Sequence, residues 1–169
     1  MSRVIRTPDH ETDRGLSVAL THSLTIGITT VLIAMLLMTG GTMLDSERER
    51  STEVALETVG ERLAGEIDNV DRIANGSETA DDVSLEVEHP RTITNSGYTV
   101  VLHETCSDDE APLIDDSTSC LELASDGEDV TVYVPFETHE GIDPDATAEG
   151  GVIEVYLEDG AISIREADR

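Results

Sequence analysis

Leu16 to Leu44 reads LSVALTHSLTIGITTVLIAMLLMTGGTML, 29 residues without one Asp, Glu, Lys or Arg. As an α-helix this stretch would be roughly 43 Å long at about 1.5 Å per residue, against a hydrocarbon core of about 30 Å. It is therefore expected to cross a membrane, in contact with lipid and with some tilt. A cleaved secretory signal has a shorter apolar region, about 7–15 residues, and a small-residue cleavage pattern that is missing near Gly40 and Gly41. Arg3, Arg6 and Arg14 precede the run, and Arg48 and Arg50 follow it among Glu47 and Glu49. The arginine balance slightly favours a cytoplasmic N-terminus, which leaves the rest of the chain extracellular. Within the run, Ala19, Ser23 and Gly27 stand four apart on one face, a small-residue ridge that lets another helix approach closely. His22 within the run marks either a polar contact between helices or, the favoured reading so near the cytoplasmic end, a side chain that reaches the membrane interface.

Charge is distributed in the opposite way. The 169 residues carry a formal charge of -27, and the segment up to Leu44 is neutral, with Arg3, Arg6 and Arg14 against Asp9, Glu11 and Asp13. All of the excess negative charge thus follows the apolar run. The ten basic residues are all arginine. Such a lysine-free, carboxylate-rich surface reads as adaptation to high salt, where ions screen the repulsion that opposes compaction. It also argues against nucleic acid as a partner.

Beyond the apolar run, Leu56, Val59, Leu63, Ile67, Val70 and Ala74 recur at spacings of three and four, so they share one helical face. One long helix is expected from Leu16 to Ala74, weakened by about 1 kcal/mol at each of Gly60 and Gly65. Asn75-Gly76-Ser77 provides a stop. Strands are expected at Val83 to Val87, Tyr98 to His103, Leu121 to Leu123, Val130 to Val134, Val152 to Leu157 and Ile162 to Ile164. Asp159-Gly160 reads as a hairpin turn between the last two. The acidic segments Ser107 to Ser119 and His139 to Gly151 read as loops. The class is therefore α+β, a long N-terminal helix followed by a small antiparallel sheet whose apolar face covers the helical stripe. The divisions fall at 1–15, a cytoplasmic leader; 16–44, the transmembrane helix; 45–74, its amphipathic continuation; and 75–169, a β-rich acidic ectodomain.

Cys106 and Cys120 are the two cysteines and flank an acidic loop. On an oxidising exterior this pair is expected to form a disulfide. Asn75 heads a glycosylation sequon. Enzymatic chemistry and bound cofactors are not expected: there is no phosphate-binding glycine loop, nucleophile elbow or HExxH, and the five histidines are scattered. Asp143, Asp145 and Glu149 superficially suggest a calcium loop, but its sixth position is Ala148 where a glycine is needed, so no metal site is assigned.

Arg14-Gly15-Leu16 narrows the reading. A short polar leader ending in Arg-Gly, followed at once by a long apolar helix that continues as an amphipathic one, resembles the N-terminus of archaeal type IV pilins and pilin-like proteins. The lysine-free ectodomain, with Glu86-Val87-Glu88-His89-Pro90 shortly before Gly97-Tyr98-Thr99-Val100, is similar to pilin-like surface proteins of haloarchaea. The resemblance implies a pilin-like fold and cleavage after Gly15 by a prepilin peptidase. It also implies assembly through the apolar helix with other pilin-like subunits into a surface filament or secretion pseudopilus. The helix begins Leu16-Ser17-Val18 where many haloarchaeal adhesion pilins have Ser-Pro-Val, and its fifth residue is Leu20 where bacterial pilins have glutamate. That points to a minor pilin or pilin-like component. The alternative function is an unprocessed, single-pass, membrane-anchored binding module; an ectoenzyme is remote.

Overall fold

The computed structural model describes residues 10–76, 83–106 and 118–167, with side chains from residue 18 onward. A single helix, α1, runs His10–Gly76. No proline interrupts it, and it includes residues ahead of the apolar run. The chain divides into two compact units, Met1–Ser46 and Glu47–Arg169.

Among the described residues eight strands follow α1: β1 (Val83–Glu88), β2 (Tyr98–His103), β3 (Ser119–Ser125), β4 (Thr131–Phe136), β5 (Gly141–Ile142), β6 (Thr147–Glu149), β7 (Val152–Glu158) and β8 (Ala161–Glu166). They form two four-stranded sheets, ordered β1-β7-β8-β5 and β4-β3-β2-β6. All pairings are antiparallel except β5 with β8. The fold is α+β, as the helical and alternating periods predict. Asp159 and Gly160 both have positive φ, 52° and 79°, as the tight turn joining β7 to β8 requires.

One expectation fails. The segment from His139 to Gly151 contains β5 and β6, and it connects the sheets: Gly141 and Ile142 pair with β8, then Thr147 to Glu149 pair with β2. Between them Leu102 N–H donates to the Ala146 carbonyl at 2.9 Å and Asp145 N–H to the Leu102 carbonyl at 3.0 Å. Strands of two and three residues are too short to display a period of two, so their acidic surroundings dominated the reading. The loop expected from Ser107 to Ser119 lies largely outside the described residues, and β3 already begins at Ser119.

An apolar core joins helix and sheets. Leu56, Leu63, Ile67 and Val70 of α1 are fully buried and Val59 nearly so, packed with Tyr98, Val100, Leu121, Leu123, Ile153, Val155 and Ile162 among others. This is the stripe at three- and four-residue spacing, covered by the inward-facing alternate residues of the strands. Exposed Pro135 lies in β4 and exposed Glu86 and Glu88 in β1, each an edge strand of its sheet, where a missing N–H or a charge discourages pairing with another chain.

Gly60 and Gly65 of α1 have opposite roles. A Cβ on Gly60 would lie 2.6 Å from Val134 Cγ2 and 2.8 Å from Leu123 Cδ1, so the helix backbone rests directly on β3 and β4. A Cβ on Gly65 meets nothing within 4 Å. Gly65→Ala is therefore expected to stabilise by about 1 kcal/mol through helix propensity. At Gly60 the same change incurs an overpacking penalty of about 1–3 kcal/mol that offsets or exceeds that gain, and Gly60→Leu is clearly destabilising. Paired thermal melts check the sign.

Candidate functional site

The first candidate surface is the N-terminal half of α1. Every residue from Val18 to Ser51 is exposed, including Leu20, Leu24, Leu36, Leu37 and Met38. Such a continuous apolar surface is unfavourable in water and favourable in lipid or against other helices. Its hydroxyls are adapted to an apolar medium, because Thr25, Thr30 and Thr39 donate to the carbonyls of Thr21, Ile26 and Met35 at 2.8, 2.8 and 3.0 Å. Each donor is satisfied within the helix itself and needs no water. The helix is thus long and apolar enough to cross a membrane. Ala19, Ser23 and Gly27 lie exposed along it, and a Cβ added at Gly27 would meet nothing within 4 Å. Arg14, Gly15 and Leu16 fall within α1, but their side chains lie outside the described residues.

The second candidate is the polar tether at the far end of α1. Asp71 is 1 % exposed and lies four residues beyond Ile67, on the face that packs against the sheets. Its Oδ1 accepts the backbone N–H of His139 at 2.8 Å and of Glu140 at 3.0 Å, and its Oδ2 pairs with His139 Nδ1 at 2.8 Å. Burial pushes the Asp71 carboxyl up, but the N–H of Glu140 and the ring and N–H of His139 outweigh it, holding the group below its ordinary value. The hydrogen bond and charge of Asp71 hold the His139 imidazole above its ordinary value. Asn75, one turn on, is exposed, with its Nδ2 3.2 Å from the Asp71 carbonyl; Ser77 of the sequon lies outside the described residues.

Cys106 and Cys120 form a disulfide, with Cα atoms 5.9 Å apart and both residues buried beside Tyr133. Alkylation of denatured, unreduced protein should leave both cysteines unmodified. Reduction should lower stability by about 3 kcal/mol through the loop it frees.

Asp143 Oδ2 accepts from Ser163 Oγ at 2.9 Å, Asp145 has a φ of 68° in the link between β5 and β6, and Glu149 closes β6. Among the described residues no three His, Cys, Asp or Glu side chains gather as metal ligands would.

Sequence reasoning missed Asp71 and Thr52. Both keep the register of the apolar stripe, Thr52 four residues before Leu56 and Asp71 four after Ile67, and that register was the available signal. Thr52 is fully buried and meets the Thr94 hydroxyl at 2.7 Å. The contact holds a turn in which Thr94 and Asn95 take φ of 50° and 69°, an unfavourable conformation for a β-branched residue.

These features define an α+β protein whose one apolar helix has membrane-spanning length and whose folded unit is fastened by a buried carboxylate and a disulfide. The chain belongs to the Family of unknown function (DUF7266), whose model matches residues 11–165. No curated protein and no solved structure matches it.

Proposed function

We propose that this chain is a pilin-like structural subunit of an archaeal cell-surface filament or secretion pseudopilus, cleaved after Gly15 and assembled through its apolar helix. The observation that carries the reading is the uncovered apolar surface from Val18 to Leu44, on a helix that continues into the core of a small α+β unit. A helix of this kind serves twice. It holds the subunit in the membrane before assembly, and it packs against copies of itself or related helices afterwards, with Ala19, Ser23 and Gly27 allowing close approach. The N-terminus is cytoplasmic and the sheet-bearing unit extracellular, an orientation supported by the Cys106–Cys120 disulfide and the arginines before Leu16.

The mass of the mature N-terminus, taken from the protein's own cells, tests this directly. The expected first residue is Leu16. Gly15→Phe should keep the full-length protein in the membrane, while Gly27→Leu should be cleaved normally but yield fewer detergent-resistant multimers. A native chain beginning at Met1 or Ser2, monomeric and indifferent to Gly15→Phe, would leave an anchored extracellular binding module in place of a filament subunit.

A further inference from the structure

His89 follows directly on β1 and is 3 % exposed, and neither of its ring nitrogens has a hydrogen-bond partner among the described residues. Its backbone is fixed, because His89 N–H donates to the Gly151 carbonyl at 2.8 Å. That bond joins the end of β1 to the turn between β6 and β7, where Gly151 takes a φ of 138° that a side chain would not tolerate. The charges that act on the ring from α1 are Arg62 and Glu66. From its own segment the neighbouring charges are Glu88 and Arg91, and Glu149 precedes the turn that its backbone contacts.

A buried imidazole without partners gives up the hydrogen bonds it would make in water, so an apolar residue of similar size would fill this place at lower free energy. What a histidine adds is the capacity to charge. Protonation would put a second N–H and a full positive charge in the same enclosed space, where Arg62 repels it and Glu66 attracts it. We propose that His89 is an acid-sensitive latch: neutral, it closes the junction of β1, α1 and the Gly150–Gly151 turn, and protonated, it opens that junction.

The electrostatics agree with the geometry. Burial pushes the His89 ring below its ordinary value of 6.5 and Arg62 pushes the same way, with Glu66 opposing them. A histidine with a depressed folded value contributes stability at neutral pH that is lost as pH falls below about 6.5, because the unfolded chain then binds the extra proton. His139 responds in the opposite sense. Its value is raised by Asp71, so its contribution is full below about 6.5 and lost as pH rises through the raised value. The His139 segment is therefore an internal control.

Hydrogen exchange of the full chain in detergent and molar salt, at about pH 7.5 and about pH 5 and corrected for intrinsic rates, reads both junctions. Protection of the amides of residues 85–91 and 150–152 should fall by up to about tenfold per pH unit below about 6.5, while that of His139 and Glu140 does not fall. His89→Leu should abolish the acid loss. Equal wild-type protection at both pH values, or an undiminished acid loss in His89→Leu, overturns the proposal. Should His89→Leu fail to fold, the NMR titration of the wild-type imidazole decides: a midpoint well below 6.5 supports the latch, and one at or above 6.5 overturns it.

Discussion

Asp71→Ala is expected to lower the stability of the Glu47–Arg169 unit by about 3 kcal/mol, and its melting temperature by roughly 10 °C. The loss comes from the groups left behind. Two backbone N–H donors, of His139 and Glu140, converge on one buried oxygen, and removing it leaves them without their acceptor. Each such donor costs about 1–3 kcal/mol when it cannot reach water, and relaxation of the exposed His139 recovers part of the sum. Asp71→Asn keeps an oxygen for both backbone donors and loses the charge and the Oδ2 acceptor opposite His139, so its effect should be smaller. Two pH dependences accompany these substitutions. The depressed value of Asp71 means that its contribution is present above its ordinary 3.8 and lost as pH falls through the depressed value. The raised value of His139 means that its contribution is lost as pH rises through that value. His139→Ala should remove the alkaline-side dependence alone, and Asp71→Ala should remove both. Thermal melts of the three variants at about pH 3, about pH 5.5 and about pH 8.5 check the pattern; Asp71→Ala melting with the wild type would show that the tether contributes nothing.

Transfer from molar salt to dilute buffer is expected to loosen the same unit, with a fall in melting temperature of about 10 °C or more. The entire formal charge of -27 lies after Leu44. Local pairing relieves little of it: among the described residues, Arg72 pairs with Asp68 at 3.4 Å and Arg165 with Glu154 at 2.7 Å, and Arg165 also lies over the Tyr156 ring. The remaining carboxylates repel across the surface. At about 1 M salt that repulsion is screened within about 3 Å, whereas at about 0.1 M it extends about 10 Å, comparable to the spacing between strands two apart. Circular dichroism melts of the full chain in detergent at the two salt levels read the effect. Equal melting would mean that the core tolerates the charge unaided.

How much of this was legible in advance can be traced residue by residue. Leu56, Val59, Leu63, Ile67 and Val70 announced the buried face because a helix repeats every 3.6 residues, and each position carries that signal in its own neighbourhood. The six longer strands, the Asp159-Gly160 turn and the disulfide were equally local, or followed from a single pair of cysteines. The rest depended on meetings between distant segments. Asp71 is one acidic residue among 37 until His139 arrives from 68 positions away. Gly60 reads as a weak point in a helix until β3 and β4 press against it. The acidic stretch from His139 to Gly151 reads as solvated until β8 and β2 offer it unpaired backbone groups.

By itself, then, the sequence determined where the helix runs, which of its faces is apolar, which segments are extended and that one half of the helix is dressed for lipid. Only the tertiary structure decided that the strands divide into two sheets, that one carboxylate of many is buried and held, and that a histidine lies enclosed with no hydrogen-bond partner for its ring among the described residues. The reason is physical. Secondary structure and amphipathicity arise from torsional preference and periodic burial along a few neighbouring residues. Desolvation, close backbone approach and the fate of each buried N–H are set by what the rest of the chain brings within a few ångströms.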